Sequence, residues 1–368
     1  MENFVVSARK YRPQLFKDVV GQEAITRTLE NAIKNNHLAQ AFLFCGPRGV
    51  GKTTCARILA KTINLEEGKE DLEEGEDFSF NIFELDAASN NSVDDIRSLT
   101  EQVRFPPQVG KYKVYIIDEV HMLSQAAFNA FLKTLEEPPA HAIFILATTE
   151  KHKILPTILS RCQIFDFKRI EVKDVVTHLT EIASNEGVTI DENALHIIGQ
   201  KADGALRDAL SIFDQVVSFC GNTVTYQDAI ENLNVLDYDY YFKISEALFT
   251  QDISTVLLAF DDILYKGFDG HNFIVGLAAH FRDLLVCRDK STLKLLEVAD
   301  NVKEQYYQQA VKSDEKLLLK FIEICSDCDV NYKQAKNQRL LVEFALIKMC
   351  SIADTGLKSA EKKKTHLK

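Results

Sequence analysis

No proline follows Pro156 in this 368-residue sequence; all seven stand at or before that position. Proline breaks helices, so the 212 residues after it can be helical throughout. Their apolar residues recur at helical spacing, as Leu317, Leu318, Phe321, Ile322 and Cys325 do, and again Leu340, Leu341, Phe344, Ala345 and Met349. Also missing is any run of 18 apolar residues, and Met1-Glu2-Asn3-Phe4 lacks the basic-then-apolar order of a signal peptide. Membrane spanning and secretion are excluded on this reading. Cysteine is sparse, with eight residues, too few for a disulfide scaffold and expected as thiols in a reducing cytosol. The expectation is a soluble cytoplasmic protein of two or three domains.

Basic charge is short as well: the net charge is −11, which argues against a simple basic nucleic-acid binder. The charge is uneven, however. Residues 66–77 carry eight acids and one lysine, whereas residues 1–63 carry ten Lys/Arg against four Asp/Glu. A basic N-terminal segment can attract phosphate, and the acidic run is expected to point away from any phosphate-binding surface.

What is present in the first 167 residues is an alternation. Short apolar runs at Ala41–Cys45, Ile82–Leu85, Lys113–Asp118, Ile143–Thr148 and Ile164–Phe167 read as buried strands. Helical stretches lie between them, for example the face formed by Phe128, Phe131, Leu132 and Leu135, closed by Glu136-Glu137-Pro138-Pro139. The predicted architecture is α/β followed by all-α, with a five-stranded parallel sheet first. The expected divisions are 1–167 (α/β), 168–237 (small helical domain), 238–355 (second helical block) and 356–368 (frayed charged tail).

Gly46-Pro47-Arg48-Gly49-Val50-Gly51-Lys52-Thr53 satisfies G-x-x-x-x-G-K-[ST] between an apolar strand and a helix starting at Thr54. The glycines let backbone N–H groups wrap phosphates, Lys52 can neutralise the β- and γ-phosphates, and the Thr53 hydroxyl can ligate Mg²⁺. Val114-Tyr115-Ile116-Ile117-Asp118-Glu119 is a strand ending in two acids, expected beside the P-loop strand. Asp118 suits Mg²⁺ binding and Glu119 the polarisation of an attacking water. Thr148 and Thr149 end the next strand where they could meet a γ-phosphate, although threonine also simply favours strands. Arg161, in Ser160-Arg161-Cys162, reads either as a surface ion pair or as a finger for a neighbouring subunit's phosphoryl group; Arg207 reads as a solvated helix charge.

Together with Ala8-Arg9-Lys10-Tyr11-Arg12-Pro13, Val19-Val20-Gly21-Gln22-Glu23 and Glu84-Leu85-Asp86-Ala87-Ala88-Ser89, these motifs resemble the AAA+ ATPases. Within them, Asp118-Glu119-Val120-His121-Met122-Leu123, Lys133-Thr134-Leu135-Glu136-Glu137-Pro138-Pro139 and Ser160-Arg161-Cys162 resemble the gamma/tau clamp-loader family of bacterial DNA polymerase III. The resemblance is dense over 4–237 and looser beyond.

The resemblance implies a P-loop domain, a helical lid and an oligomerisation collar. It implies a motor that binds and hydrolyses ATP with Mg²⁺ to load the ring-shaped beta sliding clamp onto primed DNA, without regard to sequence. The partners it implies are the delta and delta-prime subunits and further gamma/tau copies, in the bacterial cytoplasm at the nucleoid. By the same analogy Tyr11, Arg12 and Val20 lie near adenine and ribose, and Lys52, Thr53, Thr54 and Asp118 serve phosphate and magnesium. Glu119 activates water, Thr148 or Thr149 is the first sensor, Arg207 the second, and Arg161 the trans-acting finger. A non-hydrolysing scaffold of the delta-prime kind, or a branch-migration motor, is the alternative; the complete Lys52, Thr53, Asp118 and Glu119 set argues against the first, and the Glu-Glu-Pro-Pro and Ser-Arg-Cys stretches argue against the second.

Two departures stand out. The family's four-cysteine zinc module is replaced by Asn64 to Asn81, which has neither cysteine nor histidine, so no zinc is expected there. Cys325 and Cys328 form a C-x-x-C inside a helical pattern and read as core residues. The chain also stops after the collar-like block, as the shorter gamma form does. A gamma-like product, a truncated piece or a lineage lacking the tau domains all fit.

Overall fold

The computed structural model describes residues 5–365, apart from 66–79 and positions 109, 234, 290, 293–294, 297 and 299. The acidic run at 66–77, and with it most of the stretch standing in place of a zinc module, lies outside the described residues. In chain order the first elements are α1 (Ser7–Lys10), α2 (Glu23–Lys34), β1 (Ala41–Cys45), α3 (Lys52–Thr62), β2 (Ile82–Asp86), α4 (Val93–Val103), β3 (Lys113–Asp118), α5 (Gln125–Glu136), β4 (Ala142–Thr148), α6 (Pro156–Leu159) and β5 (Gln163–Asp166). Helices α7 (Val172–Glu186), α8 (Glu192–Lys201), α9 (Leu206–Cys220) and α10 (Tyr226–Leu233) follow. The last are α11 (Tyr238–Phe249), α12 (Ile253–Tyr265), α13 (Gly270–Val286), α14 (Asp300–Lys312), α15 (Glu315–Tyr332) and α16 (Gln338–Thr365). The tail set apart from residue 356 thus continues α16.

The five strands form one parallel sheet in the order β2-β3-β4-β1-β5. This corrects one expectation: β3 does not adjoin the P-loop strand, because β4 lies between them. The register still brings the strand ends level, with Cys45 opposite Thr148 and Asp86 opposite Asp118. Ligands of open parallel sheets bind outside these carboxyl ends.

Side chains alternate across the sheet. One face carries Phe42, Phe44, Val114, Ile116 and Ile145 against Leu29 of α2 and Cys55, Ile58 and Leu59 of α3. The other carries Leu43, Tyr115, Ile117, Phe144 and Leu146 against Ile96 of α4 and Phe128, Phe131 and Leu135 of α5. Phe144 stacks on Tyr115 at 5.6 Å and meets Phe131 edge-on at 5.2 Å. Both faces are covered, which explains strands that read as unbroken apolar runs.

Contacts divide the chain into two units, Met1–Ile190 with Ile198–Thr223, and Asp191–Ile197 with Val224–Lys368. The small helical domain read over 168–237 is therefore shared, with 168–190 and 198–223 in the first unit and 191–197 and 224–237 in the second. The second unit packs α11 to α16 around Phe260, Phe273, Phe281, Phe321 and Leu346. Cys325 and Cys328 are buried in that core. So is a polar set: the His280 ring lies 2.8 Å from the Ser245 hydroxyl and 3.1 Å from that of Tyr306, and burial pushes its pKa down to about 3. Among the described residues no group of three or more His, Cys, Asp or Glu is placed to hold a metal ion, and no helix is long and apolar enough to cross a membrane.

Candidate nucleotide site

The P-loop connects β1 to α3 and turns through three left-handed glycines, Gly46, Gly49 and Gly51. At two of them the conformation is also a matter of space. A Cβ on Gly46 would sit 2.5 Å from the Phe167 carbonyl oxygen, and one on Gly49 would sit 2.9 Å from the Ala205 Cβ just ahead of α9. Only glycine lets the loop lie this close to its surroundings.

Lys52 opens α3 and is buried, 6% exposed. Its ammonium donates to the carbonyls of Gly46 at 2.8 Å and Pro47 at 2.7 Å. Burial lowers its pKa, and the carboxylates of Glu119 and Asp118 offset only part of that. A buried cation satisfied mainly by carbonyls, in a glycine-rich loop at the start of a helix, fits a polyphosphate. Beside it the Thr53 hydroxyl donates to Asp118 Oδ2 at 2.7 Å. A hydroxyl and a carboxylate are the hard oxygen donors that Mg²⁺ takes, and most of its remaining positions are filled by water and phosphate oxygens.

These groups lie on a cleft of about 540 Å³. Arg48 to Thr54 form one wall, Asp118 and Glu119 another, and Tyr11, Arg12, Val19 and Val20 a third. The lid contributes Ile170, Leu206, Arg207 and Leu210. Arg207 stands in the first turn of α9, where its backbone N–H donates to the Gly49 carbonyl at 3.3 Å. The N-terminal wall is fastened to the lid. The Ser7 N–H donates to Asp214 at 2.7 Å, the Tyr11 hydroxyl donates to Glu186, and Lys10 pairs with Glu186 at 2.6 Å. Hydrogen bonds from Lys10 and Tyr11 hold the Glu186 carboxyl below its ordinary pKa. Gln22 donates its amide to the Lys168 carbonyl at 2.8 Å, which gives the Val-Gly-Gln stretch a structural task.

Five predicted residues, Gly46, Pro47, Thr148, Thr149 and Arg161, do not line this cleft. Thr148 is fully buried at the end of β4, and Thr149, with Gly46 and Pro47, lines a separate open cavity. Thr149 nevertheless reaches the site through Glu119, whose Oε2 accepts from the Thr149 N–H at 3.2 Å and hydroxyl at 3.0 Å. Arg161 follows α6 and is held away from the cleft, bonded to Glu136 at 2.5 Å and to the Thr157 carbonyl at 2.7 Å. Arg161 makes the expected kind of surface ion pair, and its side chain stays 31% exposed.

Two features went unread in the sequence. Arg57 of α3 and Glu84 of β2 form a two-pronged pair, both contacts 2.6 Å, on the cleft wall. His121, in the turn after β3, lies between Glu119 and Glu150. Its position three residues after Asp118 was the available signal.

The charge state of Lys52 yields a direct expectation. A lysine whose pKa is lower folded than unfolded costs stability while both states hold the proton, and that cost fades as the pH rises through the folded-state value. Lys52→Met should therefore melt at a higher temperature than the parent near neutral pH, with the gap narrowing in alkali. Its nucleotide affinity should fall about a hundredfold, as when one partner of a buried charge pair is removed. Calorimetric melting across pH and titration with a fluorescent ATP analogue check both; a variant that melts lower, or binds unchanged, overturns the assignment.

Residues 21–171 match the family model described as DNA polymerase III, delta subunit, and residues 174–222 match that of the DNA polymerase III clamp loader subunit, ATPase lid domain. The chain is 41% identical to DNA polymerase III subunit tau of Bacillus subtilis over 93% of its own length and 62% of that protein's. It is 36% identical to DNA polymerase III subunit gamma of Buchnera aphidicola over 80% of its own length and 82% of that protein's. A solved Thermotoga maritima RuvB superposes with a TM-score of 0.49 at 20% identity, over 65% of this chain and 79% of that one. The chain spans about three-fifths of the length of the Bacillus tau subunit. With a parallel β2-β3-β4-β1-β5 sheet, a P-loop after β1 and a lid matched by a clamp-loader model, the chain belongs to the gamma/tau family of bacterial DNA polymerase III clamp-loader subunits.

Proposed function

We propose that this chain is an ATP-driven motor subunit of a bacterial clamp loader, acting in the cytoplasm at the nucleoid. The observation that carries this reading is the Thr53–Asp118 pair beside the buried Lys52, at the foot of a cleft closed by Arg207 from the lid. In the proposed site the P-loop amides and Lys52 hold the phosphates, and Arg12, Tyr11 and Val20 face the base and sugar. Thr53 and Asp118 hold Mg²⁺, which supplies charge neutralisation on the phosphates. Glu119 orients water and accepts its proton, and Thr149 holds that carboxylate from the end of β4. Arg207 reads nucleotide occupancy from the lid, and Arg161 serves the site of a neighbouring subunit.

Because the lid supplies one wall of the cleft, nucleotide binding favours one setting of lid against sheet, and binding rather than hydrolysis drives the change of shape. The proposed partners are the delta and delta-prime subunits, further copies of this chain, the beta sliding clamp and primed DNA held through its backbone. The test is ATP turnover by this chain assembled with cognate delta and delta-prime, with and without clamp and primed DNA. A large rise requiring both clamp and DNA is expected. A rate raised by DNA alone, with no clamp effect, would overturn the clamp-loading role in favour of another DNA remodeller.

A further inference from the structure

The His121 side chain is only 7% exposed and touches three groups at two strand ends. Its Nδ1 lies 3.1 Å from the Thr148 hydroxyl and 3.4 Å from Glu119 Oε2. Its Nε2 lies 3.3 Å from Glu150 Oε1. Thr148 is itself pinned, since its Oγ1 accepts the Glu150 N–H at 3.0 Å. Glu150 in turn is held by Lys153 at 2.8 Å, with His152 at 3.5 Å. The imidazole thus spans the turn after β3 and the loop after β4, with a carboxylate near each nitrogen.

Glu119 needs such a support. Its backbone is left-handed, at φ 47°, a conformation that a non-glycine residue keeps only when its surroundings impose it. Its carboxylate is 32% exposed, and its Oε2 accepts both hydrogen bonds from Thr149. The His121 Nδ1, on a rigid ring anchored on Thr148, approaches that same oxygen at 3.4 Å and adds a second direction of hold on it.

We propose that His121 is a positioning residue for ATP hydrolysis, setting the Glu119 carboxylate through its Nδ1 edge, with the Nε2 edge serving only as an anchor on Glu150. The inference rests on the reading of Glu119 as the group that activates water. Its consequence is a split between steps: nucleotide binding is made by the P-loop and is untouched, whereas the chemical step depends on His121. Misplacement of a catalytic group by about an ångström is costly.

The experiment uses the full chain assembled with delta, delta-prime, clamp and primed DNA, and compares His121→Ala, His121→Asn and His121→Gln. An asparagine amide occupies the place of Nδ1, and a glutamine amide that of Nε2. Single-turnover hydrolysis by His121→Ala should fall about tenfold or more with unchanged affinity for a fluorescent ATP analogue. Asparagine should restore most of the rate and glutamine little. Equal rates for asparagine and glutamine would mark a space-filling role and overturn the proposal, as would an undiminished alanine variant. If the alanine variant fails to fold, the asparagine–glutamine pair decides alone. Glu119→Gln is the control: if it hydrolyses ATP normally, the reading of Glu119 fails; if it is inactive while His121→Ala is normal, only the positioning role fails.

Discussion

Replacing Arg161 by alanine should lower ATP turnover in the assembled loader about a thousandfold while leaving nucleotide binding to the same chain intact. The guanidinium does not line its own chain's cleft. It is held by Glu136, the Thr157 carbonyl and the Ser160 hydroxyl, an arrangement that orders the side chain while leaving it partly exposed. An arginine ordered before its phosphate arrives loses less freedom on binding it, and its planar fork matches phosphate oxygens. Turnover of complexes built from the variant, alongside analogue binding by the variant chain alone, checks the expectation. Loss of binding by the variant's own chain would remove the trans role, because it would show that Arg161 serves the local site. Glu136→Gln is the companion: it loosens the guanidinium without deleting it and should cost far less.

Glu119→Gln should reduce hydrolysis by a factor on the order of 10³, the range of a general base, again with binding retained. The amide fills the same space and can still bond to Thr149, so the loss reports proton acceptance and not collapse of the site. Single-turnover quench kinetics with radiolabelled ATP measure it. A variant as fast as the parent would reassign the base, and Glu150, which reaches the same histidine, would be the next residue to replace. A variant that no longer binds nucleotide would show instead that the carboxylate supports the P-loop.

The local elements of this fold were legible because their causes are local. Five apolar runs separated by helical faces imply a parallel sheet covered on both sides, and strand boundaries moved by only a residue or so, as at Asp86 and Ala142. The P-loop was equally legible: its glycines, Lys52 and Thr53 are contiguous, and their task depends on backbone conformation at eight consecutive positions. Asp118 and Glu119 announced themselves by ending an apolar strand with two charges.

Strand order was not legible, because it depends on which helix covers which face and leaves no periodic trace in any one segment. Hence β4 separates β3 from β1, and the Thr53–Asp118 contact spans that gap. Partners distant in sequence stayed hidden for the same reason: Ser7 with Asp214, Tyr11 with Glu186, Arg57 with Glu84. The same holds for His121, an ordinary turn residue until the ends of β3 and β4 are brought level and place a carboxylate near each of its nitrogens. The sequence by itself determined which groups could bind phosphate and metal, since that chemistry belongs to residue types at short spacing. The tertiary structure alone decided which of them meet, since that depends on the register and order of strands far apart in the chain.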